Sequence, residues 1–257
     1  MTSIAAMRPS YCTRNFFLPR NRNNVSTFVL NAIMQRHSGI RSLVAAALVV
    51  SAALPGIASA KLTELGSLAA DVRGSCPLNC QALTRTTGYQ AKVGPDRQLY
   101  QAPADGRIVA WSVALGKPGP KQTAFFEERY GGTAQAAIVV LDTGKKLGRT
   151  VVSKAPLQVL TDYFGQTVQF PLAQTLPIKK GQYVALSVPT WAPTFQIGLG
   201  SDTSWRSSRA QSGCLDVTTQ FALVGKRTSA FFRCLYKGVR LTYSATFVSS
   251  PTATPTK

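Results

Sequence analysis

Histidine is almost absent. The 257 residues hold one, His37, and it falls in a leader that the chain is expected to lose. Without imidazole there is no Ser-His-Asp or Cys-His mechanism and no His-ligated zinc hydrolase. Acids are scarce too, ten Asp and Glu against 29 Lys and Arg. They are scattered, and the only adjacent pair, Glu127-Glu128, points to opposite sides if extended, so no carboxylate pair for glycoside chemistry is visible. No S-x-x-K sits in a helical setting for a Ser-Lys dyad, and C-x-x-C is missing, which removes the usual redox thiol. No apolar run reaches the roughly 20 residues of a membrane span. The chain reads as non-catalytic, with no cofactor, no metal and no transmembrane segment in its mature form.

The longest apolar run is "SLVAAALVVSAAL", Ser42 to Leu54, about a dozen residues. Arg36 and Arg41 precede it. The helix-breaking pair Pro55-Gly56 and then Ala58-Ser59-Ala60 follow it. A basic start, a short apolar middle and an A-x-A exit make a secretory signal peptide, with cleavage expected after Ala60 and Lys61 as the new N-terminus. Met34 opens a signal peptide of ordinary length, so 34–60 is the expected leader and 1–33 an upstream extension. A start at Met1 would instead lengthen the leader. Either way the protein is expected to be secreted.

Six of the 29 basic residues lie in the first 60, so residues 61–257 keep 23 against all ten acids, a net charge of +13. No basic run exceeds two residues. Dispersed charge of this kind gives general attraction to anionic surfaces and no nucleic-acid footprint. Four cysteines remain after cleavage: Cys76, Cys80, Cys214 and Cys234. In an exported chain they read as two disulfides with three connectivities open. The expected pairs are Cys76–Cys80, closing the "CPLNC" turn, and Cys214–Cys234, closing a loop of about 20 residues. A four-cysteine zinc site is the competing arrangement.

Period-two alternation marks the strands. In "RIVAWSVAL" it puts Val109, Trp111, Val113 and Leu115 on one face. In "GQYVALSV" it selects Val184, Leu186 and Val188, and in "VRLTYSATF" Val239, Leu241, Tyr243, Ala245 and Phe247. "AAIVVL" (136–141) is continuously apolar and reads as a central strand, while Pro171 in "TVQFPL" indicates an edge or bulge. Turn signals stand between these runs, and no segment is convincingly amphipathic at helical spacing. The best helical candidate is "LTELGSLAADVR", Leu62 to Arg73, with a helix of about two turns expected. The expected fold is all-β, an antiparallel β-sandwich of jelly-roll type in preference to an immunoglobulin-like one. One domain is expected over 75–248, with 61–74 as a lead-in and 249–257 as a disordered Pro/Thr-rich tail.

The segments "TTGYQAKVG", "DGRIVAWSVALGKPG", "YFGQTVQFPL", "KKGQYVALSVPTWAP", "DTSWRSSR" and "LTYSAT" resemble a family of uncharacterised secreted proteins of high-GC soil actinobacteria. The likeness spans essentially the whole mature chain. It implies export and a shared β-sandwich, and it carries no activity and no catalytic residues.

The stretch "VPTWAPTFQIGLGSDTSWRSSR" (188–209) holds two of the three tryptophans and admits three readings. In the first, Trp191 packs at a strand end, Pro189 and Pro193 turn the corner, and Trp205 caps the sandwich edge. In the second, Trp191 and Trp205 lie on loops and form a shelf for a sugar ring. Asp202, Thr203, Ser204 and Arg206 then bond to its hydroxyls, and a polysaccharide or cell-wall polymer is the partner. In the third, Asp202 and nearby carbonyls hold calcium, for which one carboxylate is thin support. Trp111, mid-strand among aliphatics, is expected in the core. A structural or protein-interaction module with no small ligand is the alternative function.

Overall fold

A computed structural model describes residues 59–68 and 72–251. The expected signal peptide up to residue 58 and the last residues of the tail, 252–257, lie outside them. Eight strands carry the architecture: β1 (Leu62–Leu65), β2 (Leu83–Val93), β3 (Gly106–Ala114), β4 (Gln135–Thr143), β5 (Gly148–Lys154), β6 (Thr167–Ile178), β7 (Tyr183–Ala192) and β8 (Tyr243–Ser249). They form two antiparallel sheets, one ordered β1-β8-β3-β6 and the other β2-β7-β4-β5. Orders 1-8-3-6 and 2-7-4-5 are those of a jelly roll, two Greek keys folded into facing sheets. The second sheet continues beyond β2 through two short strands, Ser204–Ser207 and Cys234–Lys237.

The segment 62–73 shows where helix propensity loses. Leu62–Leu65 is a strand, paired with β8 from Leu62↔Val248 to Leu65↔Ala245, and not the start of a helix. Two helical turns alone are marginal in water. Pairing with β8 satisfies the backbone and buries Leu65, and Gly66, at φ +71°, ends the strand. The sandwich therefore begins at Lys61, whose N–H donates to Ser249 Oγ at 2.8 Å and whose carbonyl accepts from the Ser249 N–H. The lead-in belongs to the domain.

The alternation in β3 holds with one phase change. Trp111, Val113 and Leu115 are buried as expected, but Ile108 is buried where Val109 was expected. The register against β6 shifts between Ile108 and Ala110, and an extra residue in a strand reverses the alternation beyond it. Pro171 lies on β6, the edge strand of its sheet, opposite Ala110 at the same irregularity. That is where a residue without an N–H is tolerated. Residues 176–178, "LPI", continue β6 to Ile178.

Ala136 to Leu141 in the central strand β4 are buried without a break, because this sheet is covered on both faces. One face meets the main core with Trp111, Ile138, Leu186 and Tyr243. The other carries a second cluster in which Leu223 and Phe232 lie over Tyr89, Val139, Leu141, Val151 and Ala185. Leu223 and Phe232 come from the excursion between Cys214 and Cys234, so this loop is an outer layer of the sandwich. Both expected disulfides are present, Cys76–Cys80 and Cys214–Cys234.

One helix was not legible in the pattern: Pro120–Tyr130. Only Phe126 and Tyr130 are buried on it, a single i, i+4 pair that gives a very narrow apolar stripe. Its ends are conventional. Pro120 occupies the first turn, the Gln122 side chain accepts the Gly119 N–H at 2.8 Å, and Gly131 closes the helix at φ +84°. Proline at the start and glycine at the end is the ordinary asymmetry of helices. Glu127 and Glu128 therefore sit on a helix, about 100° apart around its axis, and do not converge.

Deep in the core, the rings of Tyr100 and Tyr243 pack with centroids 4.6 Å apart, tilted by 39°. The Tyr100 hydroxyl donates to the Tyr243 carbonyl at 2.7 Å, and the Tyr243 hydroxyl to the Val184 carbonyl at 2.9 Å. Burial pushes the Tyr100 phenol up to about 12, with Arg240 opposing, and raises Tyr243 as well. Below pH 10 both phenols are neutral in folded and unfolded chains, and their burial counts in full. Above pH 10 only the unfolded chain ionises readily, so stability falls as pH rises toward about 12, by on the order of 1.4 kcal/mol per pH unit for each such group. Denaturation midpoints taken from pH 8 to 12 should show that decline, smaller in Tyr100→Phe. Phenolate absorbance from Tyr100 at pH 10 in the folded protein would contradict it.

Candidate functional site

The stretch 188–209 folds as strand, corner and strand. Trp191 lies on β7 opposite Thr84 and is fully buried. Its indole stacks on Phe126 at 4.8 Å and contacts Phe164 at 5.5 Å, and its N–H donates to the Gly132 carbonyl at 3.0 Å. This indole locks the helix onto the sheet and is not available as a sugar shelf. Trp205 is also in a strand, not a loop, bridging Gln90 of β2 and Tyr236. The paired-loop shelf is therefore corrected: both indoles lie in strands, and the helix covers Trp191.

Of the six candidate residues, Trp205 borders a hollow of about 680 Å³ beside the short strands. Trp205 and Tyr236 lie ring on ring, 4.4 Å apart and 18° from parallel, with Phe195 at 5.4 Å from Trp205. Phe126 and Tyr130 of the helix line the hollow as well. The polar members are Gln81, Thr84, Arg209 and Lys237, and Ala82, Val217, Leu235 and Val239 complete the lining. The Cys214–Cys234 bridge holds one side, since Cys234 begins the strand that carries Tyr236 and the Tyr236 hydroxyl donates to the Cys214 carbonyl.

The remaining candidates are placed elsewhere. Asp202 is an exposed turn residue, and among the described residues no three His, Cys, Asp or Glu side chains gather as a metal-binding group. Thr203 and Ser204 are buried and tie the turn to its surroundings. Thr203 accepts the Gly238 N–H at 2.9 Å on its carbonyl, and the Ser204 carbonyl accepts from Gln90 at 3.1 Å. Arg206 points to the opposite face of its strand from Trp205, as neighbours must, and donates to the carbonyls of Phe232 and Arg233.

Phe126, Tyr130, Phe195, Arg209 and Tyr236 were missed. Phe126 and Tyr130 depended on the unread helix, and Tyr236 reaches the site by a strand pairing that no local pattern announces. Arg209 closes the quoted stretch, and its burial was the one signal that sequence alone could not supply. At the rim next to Val217, the Thr219 hydroxyl and the Thr218 and Thr219 N–H groups hold the Asp216 carboxyl well below the usual carboxylate range, fixing that turn.

Comparison with protein-family models, curated proteins and solved structures finds no match to this chain. Among the described residues no helix is long and apolar enough to cross a membrane.

Proposed function

We propose that the chain is a secreted, non-catalytic binding domain acting at the cell surface. In this reading the hollow at Trp205 receives a ring of a carbohydrate or cell-wall polymer. The carrying observation is the hollow itself. Its volume of about 680 Å³ lies within the roughly 300–1,000 Å³ of small-ligand sites, which are mostly apolar with a few polar groups. A sugar ring presents an apolar face to aromatic walls and its hydroxyls to groups such as Gln81 and Thr84. Export rests on the signal peptide and is supported by the two disulfides. The net charge draws the protein to anionic walls. Membership of the secreted actinobacterial family belongs to the same proposal.

A second reading has a specific support. Leu215, Val217 and Leu235, the last two on the rim, are exposed aliphatics, as an apolar protein contact would need. One variant separates the readings. Ala82 lines the hollow and is half-buried, so Ala82→Phe places a ring inside it. Co-sedimentation with insoluble polysaccharides and cell walls, at low and high salt, should then fall about tenfold or more, with stability changed by less than about 1 kcal/mol. Binding that is indifferent to Ala82→Phe and vanishes in high salt would instead be the work of net charge alone.

A further inference from the structure

We infer that the ring bound in this hollow carries a carboxylate and that Arg209 receives it; the inference rests on the binding reading above. Arg209 is 4% exposed. Its guanidinium lies between Thr84 and Tyr236, both of which line the hollow with it. One terminal nitrogen donates to the Thr84 carbonyl at 2.8 Å and to Thr84 Oγ1 at 3.2 Å, and the other to the Tyr236 hydroxyl at 3.3 Å. All three acceptors are neutral. Nε is sealed in the interior with no partner among the described residues.

A guanidinium cannot shed its proton, and a buried charge is ordinarily matched by an opposite one. Here the match is missing from the surroundings. The described lining of the hollow includes two cations, Arg209 and Lys237, and no Asp or Glu. Asp216, next to the rim residue Val217, has its carboxylate engaged by Thr218 and Thr219. Arg149 provides the contrast. It is also buried with an unpartnered Nε, but its guanidinium sits over the rings of Tyr89 and Tyr183 at 5.6 and 5.4 Å. Two aromatic faces compensate Arg149, and it borders none of the hollow. Arg209 lies 5.8 Å from one ring, that of Tyr236, and is itself part of the lining of the hollow.

The ligand that completes this environment has a flat or apolar-faced ring for the Trp205–Tyr236 wall and a carboxylate for the charge of Arg209. The carboxylate supplies the opposite charge that the neutral partners of Arg209 do not. Two sources share that chemistry, an acidic sugar of a wall polymer and a free aromatic acid.

Calorimetric titration of the purified protein with matched neutral and acidic probes tests the inference: glucuronate against glucuronamide, and benzoate against benzamide. The acid of at least one pair should bind about tenfold tighter or more than its amide, a difference of about 1.4 kcal/mol. Preference for glucuronate supports both the inference and the carbohydrate reading. Preference for benzoate alone keeps Arg209 as the anion site and removes the carbohydrate. Equal binding of acid and amide in both pairs overturns the inference and leaves the carbohydrate reading standing. No binding of any probe overturns both. In Arg209→Met, checked for folding by its melting transition, the preference should disappear. Its survival in a folded variant would assign the anion to another cation and contradict the role of Arg209. The comparison within each pair needs no variant, so it holds even if Arg209→Met fails to fold.

Discussion

Trp191→Ala is expected to lower stability by about 3–5 kcal/mol, the range for truncating a large buried aromatic. The indole is fully buried and holds three things together. It stacks on Phe126 of the helix, meets Phe164, and donates its N–H to the Gly132 carbonyl at the helix end. Alanine leaves a cavity and an unmet carbonyl, and the helix loses its main anchor to β7. Denaturant unfolding measures the loss directly. Binding should weaken as well, because Phe126 and Tyr130 form part of the hollow, but only as a consequence of the loosened helix. An unchanged unfolding midpoint with lost glycan binding would contradict this packing role and restore Trp191 as a direct ligand contact.

Removing the long disulfide should have the second largest effect. Cys214→Ser with Cys234→Ser opens a loop whose ends are 20 residues apart, costing about 3 kcal/mol in the chain-entropy account. The loss will not be spread evenly. The bridged excursion supplies Leu223 and Phe232 to the outer layer, and its ends position Tyr236. Amide exchange should therefore rise first in 215–233 and at the outward-facing side of β4 and β7, while the Tyr100–Tyr243 region stays protected. The Cys76–Cys80 bridge closes only a few residues, so its removal should cost less. Uniform loss of protection across both sheets would contradict the picture of a separately stapled outer layer.

The fold was legible where burial follows a simple period. β7 and β8 alternate, β4 is continuously apolar, and the cysteine pairs follow from compartment and spacing. Three things were not legible, each for a physical reason. A bulge at Val109 reverses the alternation in β3, and one extra residue leaves no mark in composition. Leu62–Leu65 has the residues of a helix and becomes a strand because β8 offers it an edge. The helix Pro120–Tyr130 buries two residues, too few to give a period, although its Gly-Pro entry and Gly-Gly exit were in plain view. The site suffered most from this. Trp205, expected on a loop, borders the hollow from a strand, and Trp191, Asp202, Thr203, Ser204 and Arg206 were grouped with it by nearness in sequence. Pairing in a sheet sends neighbours to opposite faces, and it brought Tyr236 from 31 positions away instead.

The central claim is that the hollow at Trp205 is where ligand binds. Trp205 is one of three tryptophans, so its indole N–H resonance can be assigned by a single Trp205→Phe variant. Soluble wall fragments titrated into the isotopically labelled protein should shift that resonance, together with the amides of Leu235 and Tyr236, and leave the buried indoles of Trp111 and Trp191 nearly unmoved. Binding that shifts other surfaces and leaves Trp205, Leu235 and Tyr236 silent would contradict the assignment of the site.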